Sequence, residues 1–234
     1  MTRFDITARG LHRLVAPVLP HASTDPEMPA YNAVRIESPG GEVVNAIATD
    51  RVTLAATRLQ VDHIAPFGIT VDREDLAAGL KVFKFTKDDN PDLKVVVDEQ
   101  PVPVKHEGLH ALALRIDAPD GTRLMLYDKT LPWVQPFKSW RKVVGNLIHR
   151  GVAPASPAQI LSPSHMTRWA KAAARGERLS VFIGPQPGDS ILVLVEDWFV
   201  GVWAPGTPQL DADASMLLTA SPWHSELPSP LDHS

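Results

Sequence analysis

Cysteine is absent from the 234-residue chain, which excludes disulfides, thiolate metal sites and a cysteine nucleophile. That suits a reducing compartment, and the cytoplasm is the expectation. No apolar run approaches the roughly 20 residues that cross a bilayer, so no membrane partner is expected. The opening MTRFDITARG also lacks the apolar centre of a signal peptide. Net charge is small, −4, so a uniformly basic DNA-coating protein is excluded, and a nucleic-acid surface would have to concentrate positive charge locally. Three motifs are missing as well: the G-x-x-x-x-G-K-[ST] phosphate loop, the G-x-G-x-x-G dinucleotide turn and the G-x-S-x-G nucleophile elbow. The expectation is a protein without cofactor or catalytic residues. What is present, 44% hydrophobic and 21% charged residues, suffices to bury a core.

Three stretches share one pattern: a short strand, an amphipathic helix opened by a polar cap, then strands separated by turn signals. In the first, Phe4 to Ile6 reads as a strand and Thr7 as an N-cap, with Leu11, Leu14, Val15 and Val18 at helical spacing up to Pro20. Strands follow at 31–38, 43–49 and 52–59, the first two joined by Pro39-Gly40-Gly41. The second has a strand at 68–71, Asp72 as N-cap, and a helix through Leu76, Leu80 and Phe83. Strands at 93–97, 111–118 and 122–127 then follow, the last two around Pro119-Asp120-Gly121. The third has a strand at 159–161, Ser162 or Ser164 as cap, and a helix with Met166, Trp169, Ala170 and Ala173 on one face. It ends near Gly176, before strands at 179–183, 190–195 and 199–203.

These are three imperfect βαβββ units. Residues 1–130 form one complete domain of two units, 131–157 a connector rich in proline and glycine, and 158–205 a half domain. Residues 206–234, without periodicity, read as a disordered acidic tail.

His106-Glu107-Gly108-Leu109-His110 satisfies H-E-x-x-H, the zinc-protease pattern. That chemistry needs a helix that stacks both imidazoles one turn apart. Here the motif follows Pro101-Val102-Pro103-Val104, contains Gly108 and runs into a β-like stretch. On a strand, residues i and i+4 lie about 13 Å apart and cannot share one zinc, so no metal is expected. Asp50 reads as a turn-capping carboxylate and Trp169, Trp198 and Trp203 as core.

Ala48-Thr49-Asp50-Arg51-Val52-Thr53-Leu54-Ala55 resembles the ATDGHRLA stretch of the bacterial DNA polymerase III beta subunits, the sliding clamps. Residues 28–37 are similar to the strand that follows the family's first helix. Phe137-Lys138-Ser139-Trp140-Arg141-Lys142-Val143-Val144 is similar to FPDYRRVL at the interdomain connector, and 197–205 to the closing strand. The likeness covers about residues 3 to 205. It implies an α+β DNA clamp fold: repeated βαβββ units, helices on one face of antiparallel sheets, shortened relative to a full clamp.

The resemblance further implies a non-enzymatic scaffold or processivity factor that binds double-stranded DNA without reading sequence. It also implies binding of DNA polymerase or other clamp-binding peptides. The alternative is a truncated homologue, of a kind suited to a phage or mobile element. It would act as decoy or regulator of clamp ligands, or associate with itself or the host clamp, without encircling DNA. Family helices face DNA, and the helical stretches here carry Arg9, Arg13, Arg73, Lys81, Lys84, Arg168, Lys171, Arg175 and Arg178, for a net +5. The remainder therefore holds −9. By the same resemblance, the peptide pocket falls on Tyr31, Thr49, Arg51, Thr53, Leu54, Val143, Val202, Trp203, Ala204 and Pro205. Three departures bear on partner choice: Arg51-Val52 replaces the family's Gly-His, Lys138 its connector proline, and Ala204 its last methionine.

Overall fold

Short polar caps set where strands give way to helices in this chain. The computed structural model describes residues 1–101, 110–129, 136–150, 163–173, 176–183 and 189–204. Strand β1 (Thr2–Thr7) buries Phe4 and Ile6 in alternation. The Thr7 hydroxyl accepts a hydrogen bond from the Gly10 amide at 3.0 Å, which satisfies one free donor at the start of α1 (Ala8–Val15). Leu11, Leu14 and Val15 line the buried face of α1. A 3-10 turn, Leu19–His21, carries the chain past Pro20.

Strands β2 (Ala33–Ser38), β3 (Gly41–Thr49) and β4 (Thr53–Ile64) follow. Gly40 and Gly41 supply positive φ at the β2–β3 turn, a backbone shape that side chains resist. The second unit repeats the order: β5 (Phe67–Asp72), α2 (Arg73–Val82), β6 (Asp92–Pro101), β7 (His110–Asp117) and β8 (Arg123–Tyr127). Asp72 caps α2 by accepting from the amides of Glu74 and Asp75. After α3 (Trp140–Arg150) come α4 (Pro163–Ala170), β9 (Leu179–Phe182), β10 (Ile191–Val195) and β11 (Phe199–Trp203).

The first two units interlock by exchanging their leading strands. β1 pairs with β6 and completes the sheet β1-β6-β7-β8, while β5 pairs with β2 in the other sheet. That second sheet has seven antiparallel strands in the order β5-β2-β3-β4-β11-β10-β9. The third unit joins through β11 against β4, with Val202 opposite Leu54 and Trp203 opposite Thr53. α1 touches β1 of one sheet and β3 and β4 of the other; α2 touches β5 and β8. One apolar core results, in which Leu14, Val15, Leu76 and Leu80 meet Ile36, Ile69 and Leu114.

Both faces of the seven-stranded sheet are covered near β4 and β11. On the inner face Trp169 of α4 lies against β11, where Gly201 leaves room for its indole: a Cβ there would sit 2.0 Å from the ring. On the outer face Phe137, Trp140 and Val144 cover Ile47, Leu54, Ala56, Val200 and Val202.

Two expectations meet a different outcome. The segment 131–157, read as a link, contains α3, which the surrounding prolines and glycines concealed. In α4 the buried stripe is Trp169 and, just past the helix, Ala172, whereas Met166 and Ala170 are exposed. The strand expected at 159–161, the cap at Ser162 and the tail 206–234 lie outside the described residues; Ser164 falls inside α4.

Candidate nucleic-acid interface and outer-face groove

α1 sits between the other helices of the inner face. At one end the Arg9 guanidinium donates to the Thr86 carbonyl at 3.2 Å and lies 5.3 Å from the Phe85 ring, just beyond α2. At the other, Arg13 lies 4.7 Å over the Trp198 ring and pairs with Glu177, beyond α4, at 3.4 Å. Arg9, Arg13, Lys81, Lys84, Lys171 and Arg178 are all exposed. Arg73 is half-buried and spends its Nε–H on the Leu19 carbonyl at 3.3 Å. Arg175 lies outside the described residues.

Arg168 differs from the other cations of that set. It forms an ion pair with Asp50 and donates to Thr53 Oγ1 at 3.2 Å, its side chain only 28% exposed. Its charge is matched inside the protein and anchors α4 to the β3–β4 turn.

Asp50 is the hub of that turn. Its Oδ1 accepts from the Val52 amide, the Thr53 amide and the Thr53 hydroxyl at 3.1, 2.7 and 2.9 Å. Burial works against its ionisation, but the bonds from Arg168 and Thr53 outweigh this and hold its pKa below the usual carboxylate value. Beside it His21 is fully buried, its Nδ1 3.1 Å from Thr53 Oγ1 and its ring stacked at 4.3 Å on Trp169. Burial first, then the nearby Arg168 charge, pushes the His21 pKa down to about 3, so the imidazole is neutral. His165 of α4 is lowered by the same two causes, and its ring packs 5.0 Å from that of Trp203.

The residues assigned to a peptide pocket by resemblance divide between the two sheet faces. Leu54 and Val202 are cross-strand neighbours on the outer face, packed with Trp140 and Val144. Val143, on the same helix, is exposed. Thr49, Thr53 and Trp203 are buried, Thr49 donating to the Thr53 carbonyl at 2.7 Å. Arg51 is exposed at the turn with φ 76°, and Ala204, exposed, donates its amide to the Val52 carbonyl at 2.9 Å. Tyr31 is half-buried before β2, and Pro205 lies outside the described residues.

A feature missed by sequence reasoning adjoins that surface. A groove of about 600 Å³ runs between α3 and the outer sheet face, lined by Val43, Asn45, Ala56, Arg58, Gly145 and Val200 among others. Glu37 of β2 fastens the start of α3 beside it, accepting from the Trp140 indole at 3.0 Å and pairing with Arg141 and Arg35. Burial raises the Glu37 pKa less than these three partners lower it, so it stays charged. The signal was in the sequence as the outward alternation of residues 43, 45, 54, 56 and 58, but without α3 it had no second wall.

Of the H-E-x-x-H motif, residues 106–109 lie outside the described set, and His110 opens β7 opposite Pro101. Among the described residues no group of three or more His, Asp or Glu side chains is arranged to hold a metal ion. No helix there is long and apolar enough to cross a membrane.

Interlocked βαβββ units, with helices gathered on one side and antiparallel sheets on the other, define the DNA clamp fold. Solved structures with that fold match the chain. The C. crescentus beta sliding clamp shares 11% identity and a TM-score of 0.61, covering 89% of this chain and 66% of the clamp. The DNA polymerase sliding clamp of Bacillus subtilis shares 12% identity and a TM-score of 0.62 over 87% of this chain and 64% of that one. The DNA polymerase III beta chain of Streptococcus pneumoniae shares 13% identity and a TM-score of 0.57 over 88% and 65%. The chain thus spans just under two thirds of the clamps it resembles. No protein-family model and no curated protein matches its sequence.

Proposed function

We propose that the chain is a non-enzymatic, clamp-type scaffold that holds duplex DNA against its helix face and docks replication or repair proteins on its outer face. The observation that carries this reading is the exposed cationic set on or just beyond three helices: Arg9 and Arg13 in α1, Lys81 in α2 with Lys84 just after it, and Lys171 and Arg178 after α4. Such a surface meets phosphates, reads no bases and weakens steeply with salt. The domain plan that goes with it is one complete clamp-type domain over 1–130, a connector over 131–157, and a half domain over 158–205 that extends the seven-stranded sheet through β11. Leu54 and Val202, with Trp140 and Val144 above them, supply the apolar part of the outer-face docking surface.

A second reading, a decoy or regulator of clamp ligands that leaves DNA alone, draws on the Asp50–Arg168 pair, which removes one cation from the helix face. Titration of a labelled duplex at low salt separates the two. Arg9→Glu, Lys81→Glu and Lys171→Glu together should weaken binding at least tenfold while the circular dichroism spectrum is unchanged. A wild-type chain indifferent to duplex, nicked circle and linear DNA alike would select the second reading.

A further inference from the structure

We propose that two copies of the chain pair through their third units, α4 with β9–β11, and complete a second clamp-type domain between them. This pairing is independent of DNA binding.

The first two units show what one unit takes from another. Each lends its leading strand to the other's sheet, β1 lying beside β6 and β5 beside β2, and their helices α1 and α2 touch. Covered in this way, β2 buries Ala33, Val34, Ile36 and Ser38, and β6 buries Leu93, Val95, Val96 and Val97.

β9 holds the same place in the third unit, as the first strand after its helix, and is left uncovered. β10 flanks it on one side, and among the described residues no strand flanks the other. None of its four residues is buried. Val181 shares a sheet face with its cross-strand neighbour Val193, yet Val181 is 42% exposed and Val193 1%. The apolar inner face thus runs out to the sheet edge. The strand, Leu-Ser-Val-Phe, carries none of the charges or prolines that shield a free edge. At the far end of the same sheet β5 is engaged: the Thr70 amide donates to Asp128 at 2.8 Å, and the Thr70 carbonyl accepts from the Lys129 amide at 2.7 Å.

α4 repeats the shortfall. Trp169 is seated on Gly201 of β11, while Met166 and Ala170, one turn apart, are exposed, and Ala173 beyond them is half-buried. They form an apolar stripe on the side of the helix away from Trp169. A second third unit brings what this opening lacks, a helix to lie along the stripe as α2 lies by α1 and a sheet to adjoin β9. A two-fold axis lets each copy cover the other with the same surface.

Light scattering coupled to size-exclusion chromatography, on the full chain without DNA, reads the assembly. The expected species is a dimer. Met166→Glu with Val181→Glu should convert it to monomer with the circular dichroism spectrum unchanged, since both side chains are exposed in the single chain. Val82→Glu, at an exposed apolar position on α2, should leave the dimer intact. The absence of cysteine gives a second readout. Two-fold pairing brings one helix position of both copies together, so Ala170→Cys alone should form a disulfide-linked dimer in dilute oxidised glutathione, about tenfold faster than Val82→Cys. A wild-type monomer at high micromolar concentration, a dimer that survives both glutamates, one that Val82→Glu dissolves equally, or equal cross-linking rates would each overturn the proposal.

Discussion

Gly201 is small because Trp169 lies across it. The indole of α4 occupies the space a side chain would fill, with an added Cβ 2.0 Å from the ring, and this close approach seats the helix on β11. Gly201→Val should therefore expel Trp169 and cost about 1–3 kcal/mol through overpacking, read as a lower urea midpoint with altered near-ultraviolet dichroism. An unchanged midpoint would mean that α4 is not held there.

His21, next to the same indole, makes stability depend on pH. Its folded pKa, about 3, lies below the ordinary 6.5, so between those values the unfolded chain binds the extra proton. Its contribution is complete above pH 6.5 and is lost as the pH falls towards 3, up to about 4–5 kcal/mol. The lowered pKa of His165 acts in the same direction over its own window, and that of Asp50 does so below the usual aspartate value of 3.8. Urea midpoints should fall steadily from pH 7 to pH 4, and His21→Gln should flatten that slope. A flat wild-type profile would contradict a buried neutral imidazole.

Among the elements, the helix starts are the parts most directly written in the sequence. Thr7 and Asp72 were legible as caps because a short polar side chain before an apolar stripe has one efficient use there, and both accept the amide bonds that role requires. Thr7→Ala should cost about 1 kcal/mol in chemical denaturation. Asp72→Ala should cost more, since Asp72 also pairs with Lys129. The hairpins at Gly40-Gly41 and Gly121 were equally legible from backbone chemistry. α3 was not, because the proline- and glycine-rich sequence around it outweighed the WRKVV stretch. In α4 the period was visible but the face was not. Residues 166, 169, 170 and 173 make as regular a stripe as the one actually buried, and the choice is made by Gly201 on a distant strand.

Arg168 was misplaced for a related reason. As a cation on a helix it reads as solvent-facing, and its partner Asp50 stands 118 residues earlier. Arg168→Gln leaves that carboxylate half-buried without its cation. It should lower stability by about 1–3 kcal/mol while leaving the duplex dissociation constant within about twofold, the reverse of the pattern expected for Lys171→Gln.

For the whole molecule, strand exchange interlocks the first two units across two sheets, and the β4–β11 junction extends the seven-stranded one, with α4 on its inner face and α3 on its outer face. The order strand, capped helix, strands was legible in the first two units, and of the third the described residues contain its helix and three following strands. Which strands pair between units was not legible, since β1 and β6 are brought together by a core distributed over the whole chain. The electrostatic asymmetry was legible only in part. Formal charge counts each cation alike, whereas the folded chain pairs Arg168 internally, directs Arg73 to a carbonyl and leaves the six other described cations of the set exposed in or just beyond α1, α2 and α4.

The salt dependence of duplex binding tests that surface most directly. Each phosphate neutralised contributes about −0.9 to the slope of log K against log salt concentration, so four to six contacts correspond to a slope of about −4 to −5. The expected result is a slope in that range for the wild-type chain, shallower by about 1 for each of Arg9→Gln, Lys81→Gln and Lys171→Gln. A slope near zero, or one that none of these substitutions changes, would contradict a DNA-holding helix face.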